Sequence, residues 1–173
     1  MSDNPVFDAA VAGVLAHEGG YQCRSDDSGN WTGGAVGSGV LKGTKYGISA
    51  ASYPALDIAG LSEDAARDIY LRDWWQRLGL DRLPAAVAAK LLDAAVNTGA
   101  GPAVTALQRA LRACGRPVVE DGRLGDETAA AAQAADGIGP ALREALAGHY
   151  RLLAAVNPAL EPNLAGWLNR AYS

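Results

Sequence analysis

His17-Glu18-Gly19-Gly20-Tyr21-Gln22 ends an apolar helical stretch, and a glycine-rich polar run then closes on Gly43-Thr44-Lys45-Tyr46-Gly47-Ile48-Ser49. Upstream, Asn4-Pro5 reads as a helix start, with Asn as N-cap and Pro at the first helical position. Phe7, Val11, Val14 and Leu15 then fall on one face at helical spacing. Paired glycines stop the helix, which puts Glu18 in its last turn. The helix dipole presents partial negative charge there and disfavours an ionised carboxylate by roughly 0.3–1 kcal/mol. Partial burial pushes the same way, toward a protonated acid. Lysine would serve stability better at this place, so the glutamate points to chemistry.

The rest of the chain reads as helices. Residues 22–45 are rich in Gly, Ser, Thr and Asp, which predicts a long loop or a small irregular sheet of the kind that carries function. Ser62 caps a second helix, with Glu63 and Asp64 in its first turn and Ile69, Trp74 and Leu78 on its inner face; Trp75 is expected off that face, toward a cleft, with a core position as the commoner alternative. Pro84 opens a third helix through Val87, Leu91 and Ala95 that ends at Asn97-Thr98-Gly99. Pro102 opens a fourth, with Leu107, Leu111 and Cys114 inside. Asp121-Gly122 is a turn, Gly125 to Thr128 an N-cap region, and a longer helix follows Pro140. A short terminal segment starts at Gly166-Trp167-Leu168.

Composition narrows the partners. Of 173 residues, 49% are hydrophobic and 20% charged, which predicts a packed globular chain. The net charge is −4 and the basic residues are scattered, whereas phosphate binding needs a basic stripe, so nucleic acid is excluded as a partner. No apolar run reaches membrane-spanning length, so no membrane insertion is expected. Cys23 and Cys114 lie far apart with no paired His, which speaks against a structural zinc or a metallo-amidase centre and for two free thiols, one disulfide being the alternative. No metal and no cofactor is expected. The start of the chain lacks a basic region and a cleavage site, so cytoplasmic synthesis is expected.

HEGGYQ, the Asp26-Asp27 pair, GNWTGG, GTKYGIS and then IYLRDWW together resemble the family 108 glycoside hydrolases. These are N-acetylmuramidases of bacteriophages and prophages with a lysozyme-like fold. Residues from 93 on, with Asp93 to Gly99, Leu107-Gln108, Asp121-Gly122, Gly125, Thr128 and Gly166-Trp167-Leu168-Asn169-Arg170, look like the peptidoglycan-binding module that follows in that family. The resemblance implies a mainly α, lysozyme-like body with a loop or small irregular β-region after the first helix. It implies a catalytic part over 1–92 and a peptidoglycan-binding-like helical part over 93–173, packed as one body.

It also implies an endolysin-type lysozyme cleaving the β-1,4 bond between N-acetylmuramic acid and N-acetylglucosamine. The family's acid in E-G-G-Y corresponds to Glu18, its following Asp to Asp27, and the Thr before Y-G-I to Thr44. Many members have a short D-P-G-G-A-T link where this chain inserts residues 30–42, so spacing leaves Asp26 and Asp27 as alternatives for the partner of Glu18. A protonated carboxylic acid and a second, ionised carboxylate are what glycosidic cleavage uses. A separation of about 5 Å serves a covalent retaining route and roughly 6.5–9.5 Å an inverting one through water. Tyr21, Asp26, Trp31, Tyr46 and Asn97 are candidate substrate contacts; Asn97, one turn from Asp93, has a structural role as its alternative. Peptidoglycan is the expected partner of a monomeric enzyme that acts in the periplasm or wall after release, for example through a holin. A secretion-accessory muramidase and a non-catalytic wall-binding protein are the other readings.

Overall fold

The computed structural model describes residues 4–173, apart from the side chains of His17 and Glu18. Among the described residues the chain is mainly α, with a small antiparallel sheet after the first helix, as the sequence leads one to expect. It divides into two compact units, Met1–Asp73 and Trp74–Ser173. That division lies upstream of the join between 92 and 93 read from the sequence.

In the first unit, α1 (Pro5–Glu18) begins where the Asn4 side chain accepts a hydrogen bond from the Phe7 amide at 3.0 Å, and it ends at Gly19 with φ 70°. Phe7, Ala10, Val11 and Val14 are buried, the stripe expected from helical spacing, while Leu15 is half-buried. Strands β1 (Thr44–Lys45) and β2 (Ile48–Ser49) form a hairpin closed by Tyr46-Gly47. Both turn residues have positive φ, 52° and 74°, the signature of a type I′ turn that matches strand twist. Tyr46 is held in this unfavourable conformation by its carbonyl, which accepts from the Tyr70 hydroxyl at 2.8 Å. Helix α2 (Glu63–Tyr70) is capped by Ser62, whose hydroxyl accepts from the Ala65 amide. It buries Ala66, Ile69 and Tyr70 and ties Arg67 to Asp8 of α1 at 2.6 Å.

Helix α2 runs on into a π-helical turn, Leu71–Gln76. This turn corrects one expectation. An i→i+5 turn rotates each residue less than an α-helix does, so the face predicted with α-helical periodicity slips. Trp75 is therefore buried, with its indole N–H donating to Asp81 at 2.6 Å, and Trp74 is only half-buried.

The second unit holds α3 (Ala85–Thr98), α4 (Ala100–Ala113), α5 (Asp126–Gln133), α6 (Ile138–Val156) and α7 (Leu164–Tyr172). Helix α4 packs between α3 and α6, and α7 packs on α6. Leu91, Leu92, Leu107, Leu111, Leu142 and Leu146 fill the interior, each worth roughly 1.5–3 kcal/mol of burial. Helix α7 is fastened by Trp167 stacked on Tyr150 at 5.4 Å, and by Arg170, which donates to Asp93 at 2.9 Å and accepts from Lys90 through its carbonyl. Desolvation in this cluster lowers the Lys90 pKa.

Gln108, Asp121-Gly122 and Thr128 meet in one network around the buried Gln108 and Thr128 side chains. The Gln108 amide donates to Asp121 at 2.8 Å and to the Arg123 carbonyl at 3.1 Å, and accepts from the Gly122 amide at 3.0 Å. Gln108's hydrogen bond is the main cause that holds the Asp121 carboxyl below the usual range. Gln108→Leu leaves the Gly122 amide and the Arg123 carbonyl without this partner, so we expect a loss of about 2–4 kcal/mol in chemical denaturation. Retention of the wild-type midpoint would show that the network carries no stability.

Candidate functional site

The candidate residues of the first unit gather where the segment after α1 pairs with the hairpin. Gln22 and Thr44 exchange both backbone hydrogen bonds, at 2.9 and 2.8 Å, as an antiparallel pair. Directly opposed residues point their side chains to the same face. Gly43 permits this pairing. Its φ is 86°, and a Cβ there would lie 2.4 Å from the Gln22 carbonyl oxygen and 2.7 Å from Cε2 of Tyr21.

Below that face lies Asn30, with no exposed surface. It ends a 3₁₀ turn, Ser28–Asn30, whose N-cap is Asp27. The Asn30 amide donates to the Arg24 carbonyl at 2.9 Å and to Oε1 of Gln22 at 2.8 Å. Its Oδ1 accepts from the Thr44 hydroxyl at 2.7 Å and from Nε2 of Gln22 at 3.0 Å. Gln22 Nε2 also donates to Asp27 Oδ2 at 3.2 Å, and the Gly29 amide donates to Asp27 Oδ1 at 2.9 Å. Every polar atom of the buried Asn30 side chain is satisfied, the condition for keeping an amide inside a fold. Two sequence-predicted residues, Asp27 and Thr44, thus belong to one network, and Asp27 remains exposed.

The neighbouring aspartate behaves differently. Asp26 forms a two-pronged pair with Arg24 at 3.1 and 2.7 Å, and that guanidinium holds its carboxyl below the usual range. Both side chains are well exposed, which makes this a surface pair of small energetic weight. Of the two adjacent carboxylates, Asp27 is the one tied to Thr44 through Gln22.

The aromatic candidates sit at the rim. Tyr21 is exposed and donates to the Lys42 carbonyl at 3.2 Å; hydrogen bonding with Cys23, first, and desolvation push its phenol up. Trp31 is half-buried and donates through its indole to the Ser25 carbonyl at 2.9 Å. The Lys45 ammonium lies 5.4 Å from the Tyr46 ring centre. Residues 30–42, whose length obscured the sequence alignment of the site, fold as a tight hairpin-like loop. Trp31 bridges Leu41, the Thr32 amide donates to the Val40 carbonyl, and the Gly33 amide to the Ser38 carbonyl. Cys23 is exposed, Cys114 is half-buried, and both thiols are free.

Asn97 is in the second unit, on α3, and donates its amide to the Tyr150 hydroxyl at 2.8 Å. Glu18 is the last residue of α1, and its side chain lies outside the described residues. Sequence reasoning did not single out Gln22 or Asn30 as functional. Both lie inside motifs that carry the family resemblance, Gln22 in HEGGYQ and Asn30 in GNWTGG, and that signal could have found them.

The family described as "Glycosyl hydrolase 108" matches residues 6–99, and the one described as "Predicted Peptidoglycan domain" matches residues 102–172. Among solved structures, that titled "Structure of Brucella abortus SagA" is similar, with a TM-score of 0.66 and 24% identity over 96% of this chain and 93% of that one. A likeness at that identity speaks for the fold, in agreement with the lysozyme-like class expected. No curated protein matches.

Proposed function

Since the chain belongs to the glycosyl hydrolase 108 family, we propose that it cleaves the β-1,4 bond between N-acetylmuramic acid and N-acetylglucosamine, with Glu18 as general acid. At the coarser level it is a glycoside hydrolase acting on peptidoglycan, since the hydrolase match is followed by a peptidoglycan domain match. The observation that carries the finer reading is the joining of Asp27 and Thr44 through Gln22 and Asn30, just beyond the end of α1. Four residues of chain at roughly 3.6 Å each keep the Gln22 backbone within about 14 Å of Glu18. On this reading Glu18 supplies the acid and the Asp27–Thr44 pair directs the water.

The chemistry proceeds with balanced protons. Glu18 gives its proton to the glycosidic oxygen as the bond to the muramic acid carbon breaks. Water attacks the opposite face, loses one proton to Asp27, and directs its second hydrogen toward Thr44. This route inverts the anomeric centre. Asp26 is a weaker choice of base because Arg24 already occupies its carboxylate. Tyr21 and Trp31 offer aromatic faces for sugar rings at the rim.

The substrate lies in the wall, so we place the enzyme's action there after release from the cytoplasm through a holin-type opening. Among the described residues no helix is long and apolar enough to cross a membrane. The test is digestion of purified sacculi followed by borohydride reduction of the new ends. The reading expects muramitol in the hydrolysate. Glucosaminitol would assign the other glycosidic bond, and no new reducing ends would leave only wall binding.

A further inference from the structure

Two backbone groups of Arg24 set the direction of every hydrogen bond in the Asp27–Thr44 network. The Arg24 carbonyl can only accept, so the NH₂ group of Asn30 must face it and Oδ1 must face the other way. The Arg24 amide can only donate, and it lies 3.2 Å from Oε1 of Gln22, so the Gln22 NH₂ group must point toward Asn30 and Asp27. Neither amide can flip without setting like against like at Arg24. Asn30 Oδ1 therefore accepts only, and the single Thr44 proton is committed to it at 2.7 Å. What Thr44 has left is lone pairs. Asp27, in turn, accepts from two donors, one on each carboxylate oxygen.

We propose that Gln22 and Asn30 are positioning residues that fix the polarity of the attacking site, making Thr44 an acceptor toward the substrate and holding the Asp27 carboxylate oriented beside it. This rests on the reading that Asp27 and Thr44 direct the attacking water. A water that gives one hydrogen to Thr44 Oγ and the other to Asp27 must turn an oxygen lone pair outward, toward the anomeric carbon. Were Thr44 free to donate, the same water would be held by its lone pair, the electrons the reaction needs. Burial gives Asn30 its rigidity, and Gln22, half-buried, reaches both partners from the strand pair.

The charged groups around Gln22 and Asp27 allow a clean test. Arg24, already paired with Asp26, is the cation whose charge interacts with Asp27. The Lys42 ammonium donates to the Pro54 and Leu56 carbonyls, and that of Lys45 to the Ala59 carbonyl. None of these changes when Gln22 is replaced. Gln22→Glu sets a second carboxyl against Asp27 Oδ2, where Nε2 stood at 3.2 Å. Two carboxyls that close hold one proton between them, and the pair ionises fully only at higher pH.

The acidic limb of the kcat/KM profile on sacculi should therefore move up by about one pH unit or more in Gln22→Glu. Gln22→Met, similar in length but without hydrogen bonds, should lower kcat roughly 10–100-fold with KM within about threefold. Circular dichroism and melting of both variants check that the chain is folded. A wild-type pH profile in Gln22→Glu, or in Gln22→Met either wild-type kcat or an effect on KM alone, overturns the positioning role. Asp27→Asn separates the two levels of the argument. An active Asp27→Asn removes the underlying reading, whereas an inactive one beside an unmoved Gln22→Glu profile removes the positioning role alone.

Discussion

Glu18→Gln should lower the release of reducing ends from sacculi by about 10²–10⁴-fold, the usual worth of a positioned general acid. Melting should stay within a few degrees of wild type. The expectation follows from place and chemistry together. Glu18 closes α1, whose buried stripe of Phe7, Val11 and Val14 anchors it, and the chain turns at once through Gly19 toward Gln22. The helix C-terminus disfavours negative charge, so a neutral glutamine there costs no stability and gains about a few tenths of a kcal/mol. Loss of turnover without loss of fold is the signature of a group that acts in the reaction. A variant retaining full turnover removes Glu18 as the acid.

Gly43→Ala should lower the stability of the first unit by roughly 3 kcal/mol or more. Two independent costs combine. Alanine at φ 86° is strained by its own Cβ, and that atom would stand 2.4 Å from the Gln22 carbonyl oxygen, far inside contact distance. The Gln22 carbonyl is the acceptor for the Thr44 amide, so relief of the clash pushes apart the strands that aim Gln22 and Thr44 at Asn30. The melting temperature should fall by about 10 °C or more for a unit of this size. Activity of the molecules that stay folded should fall with it. A melt within about 2 °C of wild type would mean that the pairing has room the geometry does not indicate.

What the sequence disclosed was local. Asn4-Pro5, Gly19, Ser62 and Gly99 mark helix ends because caps and stops depend on a few adjacent residues, and the structure places the ends there. Trp74 was expected on the inner face because helical periodicity assumes an α-helix, and a π turn shifts the face by part of a residue, burying Trp75 more deeply. Gln22 and Asn30 stayed hidden for a different reason. They lie in the HEGGYQ and GNWTGG motifs, but their joint role arises only when the strand pairing of Gln22 with Thr44 carries both side chains to the buried Asn30 amide, a tertiary fact. The same network separates Asp27 from Asp26, which adjacency in sequence left open. Recurrent pieces such as Gln108, Asp121-Gly122 and Thr128 were visible as a motif, and the structure supplies the reason in a buried amide that fastens a turn.

In the proposed reaction, water held by Asp27 and Thr44 attacks the muramic acid carbon while Glu18 protonates the leaving oxygen. Digestion of a soluble glycan fragment in ¹⁸O-labelled water, followed at once by ¹H NMR and mass spectrometry, distinguishes this route. One ¹⁸O at the anomeric carbon of N-acetylmuramic acid and the α-anomer as the first product are expected. A β-anomer formed first, or the label on N-acetylglucosamine, would rule the route out.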